Sequence, residues 1–325
     1  MRLSSPFLPV TASVGSVMRD VLLALLPGIV VYVLLFGPGV LRNIAIAVAA
    51  CLLFEAIALW LRGRPLRPFL SDGSALVTGV LLALTLPPIA PWWIAVVGSL
   101  FAIGLGKQVY GGLGYNPFNP AMVGYVVLLI SFPVQMTAWP ALQPVWDSAP
   151  DAVSAATALD HVRTQLALDR TLTEISGDAA IGWAAGAGWE WIALAWLGGG
   201  LYMLWRGTIR WQIPAGMLAG LTLIALPFWA VDPDRYASPL FHWLAGATLL
   251  GAFFIATDPV SAATTPRGRL LYGALIGVLV YVIRTWGGYP DGVAFAVLLL
   301  NICAPTIDRY TQPRVYGHTR RESEP

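Results

Sequence analysis

Apolar runs alternate with short polar turns along nearly the whole chain. A helix needs about 20 predominantly apolar residues to cross a hydrocarbon core, and many of the runs approach that length. We therefore predict an all-α polytopic membrane protein with about ten transmembrane helices, for which the lipid bilayer is the first expected partner. The predicted spans are residues 18–37, 42–61, 73–88, 91–107, 120–138, 189–205, 211–231, 240–257, 269–286 and 291–307.

One long polar passage, from Asp147 to Glu174, interrupts this pattern. Loops of this length are usually functional or disordered. Small residues surround the hydroxyl of Thr157, which indicates an acceptor site that a bulky group can approach. The alternative is a solvated loop whose Ser and Thr residues form turns.

The apolar runs and this passage divide the chain into four predicted parts. They are a first transmembrane half, residues 1–138, a water-facing insert, residues 139–188, a second transmembrane half, residues 189–310, and a tail, residues 311–325.

The composition excludes a soluble globular protein, in which roughly a quarter of the residues are charged. This chain is 57% hydrophobic and 11% charged, with a mean hydropathy of +0.71. Its basic residues are scattered over short loops rather than gathered in a stripe, so nucleic acid is not an expected partner. No metal site is predicted, because metal-ligand spacing is absent among Cys51, Cys303, His161, His242 and His318.

The distribution of Lys and Arg predicts the orientation of the chain. With the N-terminus in the cytoplasm, fourteen of the 19 basic residues lie on the inner side. The positive-inside rule then places both termini in the cytoplasm and the Thr157 loop outside. The basic residues on the outer side are Arg42, Arg163, Arg170, Arg235 and Arg284.

The peptide Ser-Ala-Ala-Thr occurs twice, at residues 154–157 and at residues 261–264. The predicted orientation places the second copy on the inner side. A modification made outside the cytoplasmic membrane would therefore reach only the first copy, which ends at Thr157.

A faint internal repeat relates the two halves. Residues 120–133 align with residues 290–305, and the run around Gly79 aligns with the run around Gly246. The offset is five spans, and an odd offset reverses the direction across the membrane, so we predict two inverted five-helix repeats. In such folds, matching segments broken by Gly or Pro mark the central binding site. The residues nominated for an ion path or a heterocycle site are Asp72, Asn116, Asn119, Asp258 and Asp291.

Several of these residues also have simpler interpretations. Asp72 and Asp291 precede Gly and would cap a helix at the membrane surface. Asn116 and Asn119 precede Pro, which is typical of a turn. Glu55 lies within the second predicted span, where an ionisable residue is a functional candidate by default. Its alternatives are a neutral carboxyl group or neutralisation by a partner subunit.

Long specific motifs show which family the chain resembles. It is similar over nearly its whole length to the D subunit of the Rnf electron-transport complex and, more distantly, to the B subunit of the sodium-pumping NADH:quinone oxidoreductase. The matching stretches are Ser4–Pro6, Ser71–Pro88, Gly112–Val123, Ala256–Ser261 with Thr265–Gly268, and the closing run Asp291–His318.

The resemblance implies a covalent flavin. In this family an outer loop carries FMN, joined through its phosphate to the last Thr of a D-x-x-S/T-G-A-T motif. Asp151 matches the acidic residue, Ser154 the Ser/Thr, Ala156 the Ala and Thr157 the modified Thr. Ala155 departs from the pattern, since the family usually has Gly there. The resemblance also implies a flavin transferase as a partner and a second, non-covalent flavin, riboflavin, whose residues no motif identifies.

The function implied is that of a subunit rather than of a complete enzyme. The chain would carry electrons in a complex of several membrane and flavin or iron-sulfur subunits that works between ferredoxin and NAD and moves Na⁺ or H⁺ across a bacterial inner membrane. The Thr157 loop would then be periplasmic. His161, Arg163 and Arg170 lie near enough in sequence to offset the negative charge of the phosphodiester, and the alternative is that they are solvated residues of the loop. The alternatives are a subunit of the sodium-pumping quinone reductase and a cofactor-free transporter or channel.

Overall fold

The computed structural model describes residues 13–140, 156–289 and 291–313, and the regular secondary structure in these ranges is helical. The first half contains α1 (Val14–Phe36), α2 (Gly39–Leu61), α3 (Leu66–Leu70), α4 (Ser74–Thr85), α5 (Trp92–Ile103), α6 (Pro120–Ser131) and α7 (Pro133–Thr137). The insert contains α8 (Ala158–Ala167) and α9 (Leu172–Ile175). The second half contains α10 (Trp189–Arg206), α11 (Gln212–Val231), α12 (Pro239–Leu244), α13 (Thr248–Leu250), α14 (Pro266–Trp286) and α15 (Val293–Thr311).

The helices and their surfaces establish an all-α polytopic membrane protein. Six helical stretches of the described residues are long and apolar enough to cross a membrane. Large apolar side chains cover the outside of the bundle, such as Leu23, Leu26 and Val30 on α1, as a lipid-facing surface requires. The other predicted spans correspond to α5, α6, α10 and the pair α12 and α13. The number of ten spans and the inverted repeat stay predictions.

Two of the predicted spans are broken or distorted inside the bundle. The span predicted at residues 240–257 is divided into α12 and α13, with Gly246 between them at a positive φ of 62°. A π-helical turn follows α13 at Gly251–Ile255, and another ends α5 at Gly104–Gln108. Such turns often lie at functional sites. The breaks leave backbone groups without helical partners, and within a membrane other protein groups must satisfy them.

Closely spaced glycines pack α11 against α14. Each helix carries two glycines four residues apart, Gly216 and Gly220 on α11 and Gly273 and Gly277 on α14. This spacing lets two backbones approach closely in a membrane. A Cβ atom added at Gly277 would collide with the carbonyl oxygen of Met217, so the two helices are in backbone contact.

The first and second halves meet along α1 and α10 and along α6 and α15. Gly199 of α10 lies against the backbone of α1, where an added Cβ would collide with the carbonyl oxygen of Ala24. Gly28 of α1 lies beneath the ring of Trp196. These contacts join the first half to the second half.

We expect Gly277→Ala to destabilise the protein by about 1–3 kcal/mol, because the added methyl group overpacks the α11–α14 contact. The measurement is thermal unfolding of the purified chain in detergent. Gly198→Ala is the matched control, since its added Cβ would meet nothing within 4 Å and Ala is the better helix former. Equal loss of stability in both variants would contradict the packing described here.

Candidate functional site

Thr157 begins the only helix of more than one turn that the structure describes in the insert. It is the N-cap residue of α8, and its Oγ1 accepts a hydrogen bond from the backbone N–H of Asp160 at 3.3 Å. Ala156 precedes it at the surface, while Asp151 and Ser154 lie outside the described residues. The first N–H groups of a helix have no helical acceptors, so they favour a bound anion such as phosphate. The hydroxyl of Thr157 therefore lies where an attached phosphate would be stabilised.

A cavity opens beside Thr157 and extends between the two halves of the bundle. We call it the Thr157 cavity, and it encloses about 1120 Å³ of space, counting its open mouth. Both halves supply its walls, among them Tyr32, Met122, Tyr125, Trp139, Trp189 and Trp196.

Aromatic contacts fix the shape of one wall of the cavity. The ring of Trp189 lies edge-on to Tyr32 and Trp139, with centroid distances of 6.2 Å and 5.3 Å. Phe36 packs on Tyr32 and Trp189 from behind, both at 5.1 Å. Aromatic rings bury large areas and prefer offset or edge-to-face contacts with other rings. The wall thus provides a rigid surface for a planar aromatic group.

Among the described residues, two carboxylates line this cavity, those of Asp160 and Asp291. Asp291 is paired with Arg284 of α14, whose Nη2 lies 3.0 Å from Asp291 Oδ1. The same guanidinium donates to the carbonyl oxygens of His242, at 2.8 Å, and Ala245, at 3.3 Å. Asp291 in turn accepts a hydrogen bond from the backbone N–H of Ala247. The ion pair therefore satisfies the backbone groups on both sides of the break between α12 and α13.

Gly246 lies at the centre of this arrangement. A Cβ atom there would be 2.5 Å from Asp291 Oδ2, 2.6 Å from Leu159 Cδ1 and 3.0 Å from Arg284 Nη2. Its positive φ also disfavours any other residue. Leu159 belongs to α8, so the helix that begins at Thr157 is seated directly over the ion pair.

Glu55 lies in a second polar cluster, and its counterion comes from the same chain. Lys107 Nζ lies 2.6 Å and 2.7 Å from the two carboxylate oxygens of Glu55 and 2.7 Å from Ser74 Oγ. Gln108 also donates to Glu55. Asp72 accepts hydrogen bonds from the backbone and the hydroxyl of Ser74 at the start of α4. Lys107 is 1% exposed, so this pair is fully buried.

The nominated amides belong to a network that joins the two halves. Asn119 caps α6, its Nδ2 donates to the carbonyl oxygen of Ile255 at 3.2 Å, and its backbone N–H donates to Asn301 at 3.1 Å. Asn116 is buried and donates to the carbonyl oxygen of Phe118.

Asp258 accepts a hydrogen bond from Ser261 at 2.7 Å. Of the residues nominated for an ion path or a heterocycle site, the structure thus brings only Asp291 into the lining of the Thr157 cavity. Glu55 and Asp72 belong to the cluster around Lys107 and Ser74. Asn116 and Asn119 belong to the network of amides, and Asp258 lies near that network.

The sequence does not show which residues pair with Glu55, Asp291 and Asn119. The predicted orientation places Lys107 at the inner side and Arg284 at the outer side, yet the Lys107 ammonium and the Arg284 guanidinium are buried against carboxylates. Asn301 lies in the middle of an apolar run and is not among the nominated residues. The available signal is a single polar residue within a predicted span, which also identifies Glu55.

A third charged cluster holds the insert together. Arg170 Nη1 lies 2.9 Å from Asp178 Oδ2, and His161 Nε2 lies 2.8 Å from the same oxygen. The hydrogen bonds from Arg170, and then those from His161, lower the pKa of Asp178 from 3.8 to about 2. Arg170 is thus paired with Asp178 within the insert, and His161 contacts the same carboxylate.

We expect Glu55→Leu and Lys107→Met to destabilise the chain by about 3–5 kcal/mol each, because each leaves the other charge buried without its counterion. The double variant should recover most of that loss, since both charges are then absent. Unfolding of the four proteins in detergent gives the coupling free energy directly. Additive losses in the double variant would contradict a buried ion pair.

The insert should also lose stability in acid. The pKa of Asp178 is lower in the folded protein than its ordinary value, so the stabilisation is complete above about pH 4 and is lost as the pH falls through about 2. Limited proteolysis of the insert between pH 2 and pH 5 measures this. Arg170→Ala should raise the pKa of Asp178 and shift the loss to higher pH, whereas Arg163→Ala, which changes a nearby charge without touching the Asp178 contact, should not.

Comparison with known proteins shows the family of this chain. The model of the NQR2, RnfD, RnfE family matches residues 2–317. The D subunit of the ion-translocating oxidoreductase complex of Yersinia enterocolitica is 51% identical, over 98% of this chain and 98% of its own. The proteins of the same name from Pseudomonas aeruginosa and Ectopseudomonas mendocina are each 54% identical, the first over 94% of this chain and 93% of its own, the second over 99% and 97%. The chain therefore belongs to the NQR2, RnfD, RnfE family.

Proposed function

We propose that this chain is the D subunit of an Rnf-type ion-translocating oxidoreductase complex and that it carries electrons on FMN bound covalently to Thr157. Relatives with that name match nearly the full length of the chain at about half identity. The observation that carries the proposal is the position of Thr157, at the start of a helix and at the mouth of an aromatic cavity.

The residues around Thr157 suit a phosphodiester. The free N–H groups at the start of α8 would donate to its oxygens, and the helix dipole favours its negative charge. Ala156 and Ala158 add little bulk beside the hydroxyl, so they leave room for the transferase to approach it. The attachment also keeps the flavin at a high local concentration.

The cavity suits the isoalloxazine ring. Trp139 and Trp189 provide flat apolar faces, and Thr85 and Thr137 provide hydroxyl groups on the same cavity. Pockets of this kind combine an apolar lining with a few polar groups that orient the ligand. Bound there, FMN would supply one- and two-electron redox chemistry, and the protein would supply position, electrostatics and exclusion of water.

The remaining parts of the proposal come from the family resemblance. The complex would work between ferredoxin and NAD, with electron flow coupled to Na⁺ or H⁺ movement, and this subunit would not be catalytic alone. Other Rnf subunits and a flavin transferase would be its partners, and non-covalent riboflavin would be its second flavin. Its membrane would be the bacterial inner membrane, with both termini in the cytoplasm and the Thr157 loop in the periplasm, as the distribution of Lys and Arg predicts.

The buried polar clusters bear on the coupling. Glu55 is neutralised by Lys107 and Asp291 by Arg284, so neither offers a free carboxylate to a cation in this state. A path through Glu55 would require the Glu55–Lys107 pair to open. The remaining candidates for an ion path are Asp72, Asn116, Asn119 and Asp258.

The decisive experiment is the intact mass of the denatured chain, produced in cells that contain the transferase, with peptide mapping over residues 140–175. We expect an increase equal to FMN less one water on the Thr157 peptide, and its loss in Thr157→Ala. Thr264→Ala is the matched control, because Thr264 ends the second Ser-Ala-Ala-Thr peptide and its hydroxyl is bonded to Asp308.

An unmodified Thr157 peptide in wild type would overturn the covalent-carrier function, and the cofactor-free transporter would then be the better explanation. A modified peptide leaves the sodium-pumping quinone reductase as the rival. Electron acceptance by NAD in the purified complex, rather than by a quinone, separates those two.

A further inference from the structure

The Arg284–Asp291 ion pair is placed to act on the electrical potential inside the Thr157 cavity. Asp291 lines that cavity and keeps 22% of its side chain exposed, whereas Arg284 is 1% exposed and lies behind it. The pair is held by backbone groups of three segments, namely the end of α12, the start of α13 and the start of α15. Both charges are thus fixed in position.

A second carboxylate also faces the cavity. Asp160 is the further carboxylate that the described part of the lining contains, and it is partly exposed, as Asp291 is, at the start of α8. Arg284, by contrast, is 1% exposed, and a buried charge interacts through a lower effective dielectric than an exposed one. The buried guanidinium and the carboxylate that it contacts therefore act strongly on the field in the cavity.

We propose that the Arg284–Asp291 pair sets the reduction potential of the aromatic redox group in the Thr157 cavity, with Asp291 opposing reduction and Arg284 offsetting that effect. The proposal rests on the proposed function, since the flavin must be present for its potential to be set. Charged groups near a flavin ring are a general means of tuning its electronics. Asp291 is in this sense a positioning and electrostatic residue rather than a catalytic one.

The sign follows from the charge that reduction adds. A flavin that takes up two electrons and one proton gains one net negative charge, with the electrons drawn from its donor and the proton from water. A neighbouring carboxylate disfavours the added charge, and a neighbouring guanidinium favours it. Removing Asp291 alone should raise the potential, and removing Arg284 alone should lower it.

The test is a spectroelectrochemical titration of the flavin-loaded, full-length protein at one fixed, mildly alkaline pH. We expect a higher midpoint potential in Asp291→Asn, a lower one in Arg284→Gln and a value near wild type in the double variant. Asp291→Glu and Arg284→Lys keep the charges and should stay close to wild type. The titration of Thr157→Ala identifies any signal from non-covalent flavin.

A matched control uses another Asp–Arg pair of the same chain. Asp20 is 3.3 Å from Arg206 Nη2 but does not line the Thr157 cavity, so Asp20→Asn should leave the potential unchanged. If Arg284→Gln fails to fold, the comparison of Asp291→Asn with Asp291→Glu still gives the sign.

Two results would overturn the inference. The first is an unchanged or lower potential in Asp291→Asn, measured in protein whose mass shows the flavin. It would exclude the electrostatic role of the pair and leave the proposed function intact. Absence of the flavin from wild type would remove the proposed function and this inference together, and the intact mass distinguishes that case from the first.

Discussion

A backbone group within a membrane has no water to bond with, and this constraint governs the centre of the molecule. The break between α12 and α13 frees carbonyl oxygens at His242 and Ala245 and an N–H at Ala247. Unsatisfied groups of this kind are costly in hydrocarbon. The guanidinium of Arg284 has only donors, so it can bond to the free carbonyl oxygens, and the carboxylate of Asp291 has only acceptors, so it can bond to the free N–H. The ion pair is thus a structural consequence of the broken helix before it has any other role.

The same break contributes to the cavity. Gly246, Ala247 and Leu250, at the break and in α13, line the space beside Thr157. Glycine contacts between α1 and α10 then hold the aromatic wall from the other side. The first half contains a comparable arrangement, in which Lys107 lies in the π-helical turn that ends α5 and satisfies Glu55. In both halves a buried cation lies near the C-terminal end of the helix that carries it.

Much of this organisation can be predicted from local sequence pattern. Hydrophobic run lengths predict the helices, and Gly246 and Gly251 lie within the predicted span 240–257, where the structure shows a break and a π-helical turn. Helix α8 is an exception, because the passage from Asp147 to Glu174 is interpreted from its sequence as a polar loop, although Thr157 with Asp160 three positions later is a helix-start signal. The partners cannot be predicted in this way, because Glu55 and Lys107 are separated by 52 positions and meet only through tertiary packing. The cavity likewise depends on residues from both halves, so no single stretch of sequence contains it.

The seating of Leu159 over Gly246 has a mechanical consequence. The insert and the membrane bundle share this contact point, since Leu159, Arg284 and Asp291 all converge on the space that a side chain at residue 246 would need. Lifting α8 would therefore admit water to the ion pair and weaken its field by raising the local dielectric. A neighbouring protein that pulls on the insert would in this way adjust the electrical environment of the cavity without touching it.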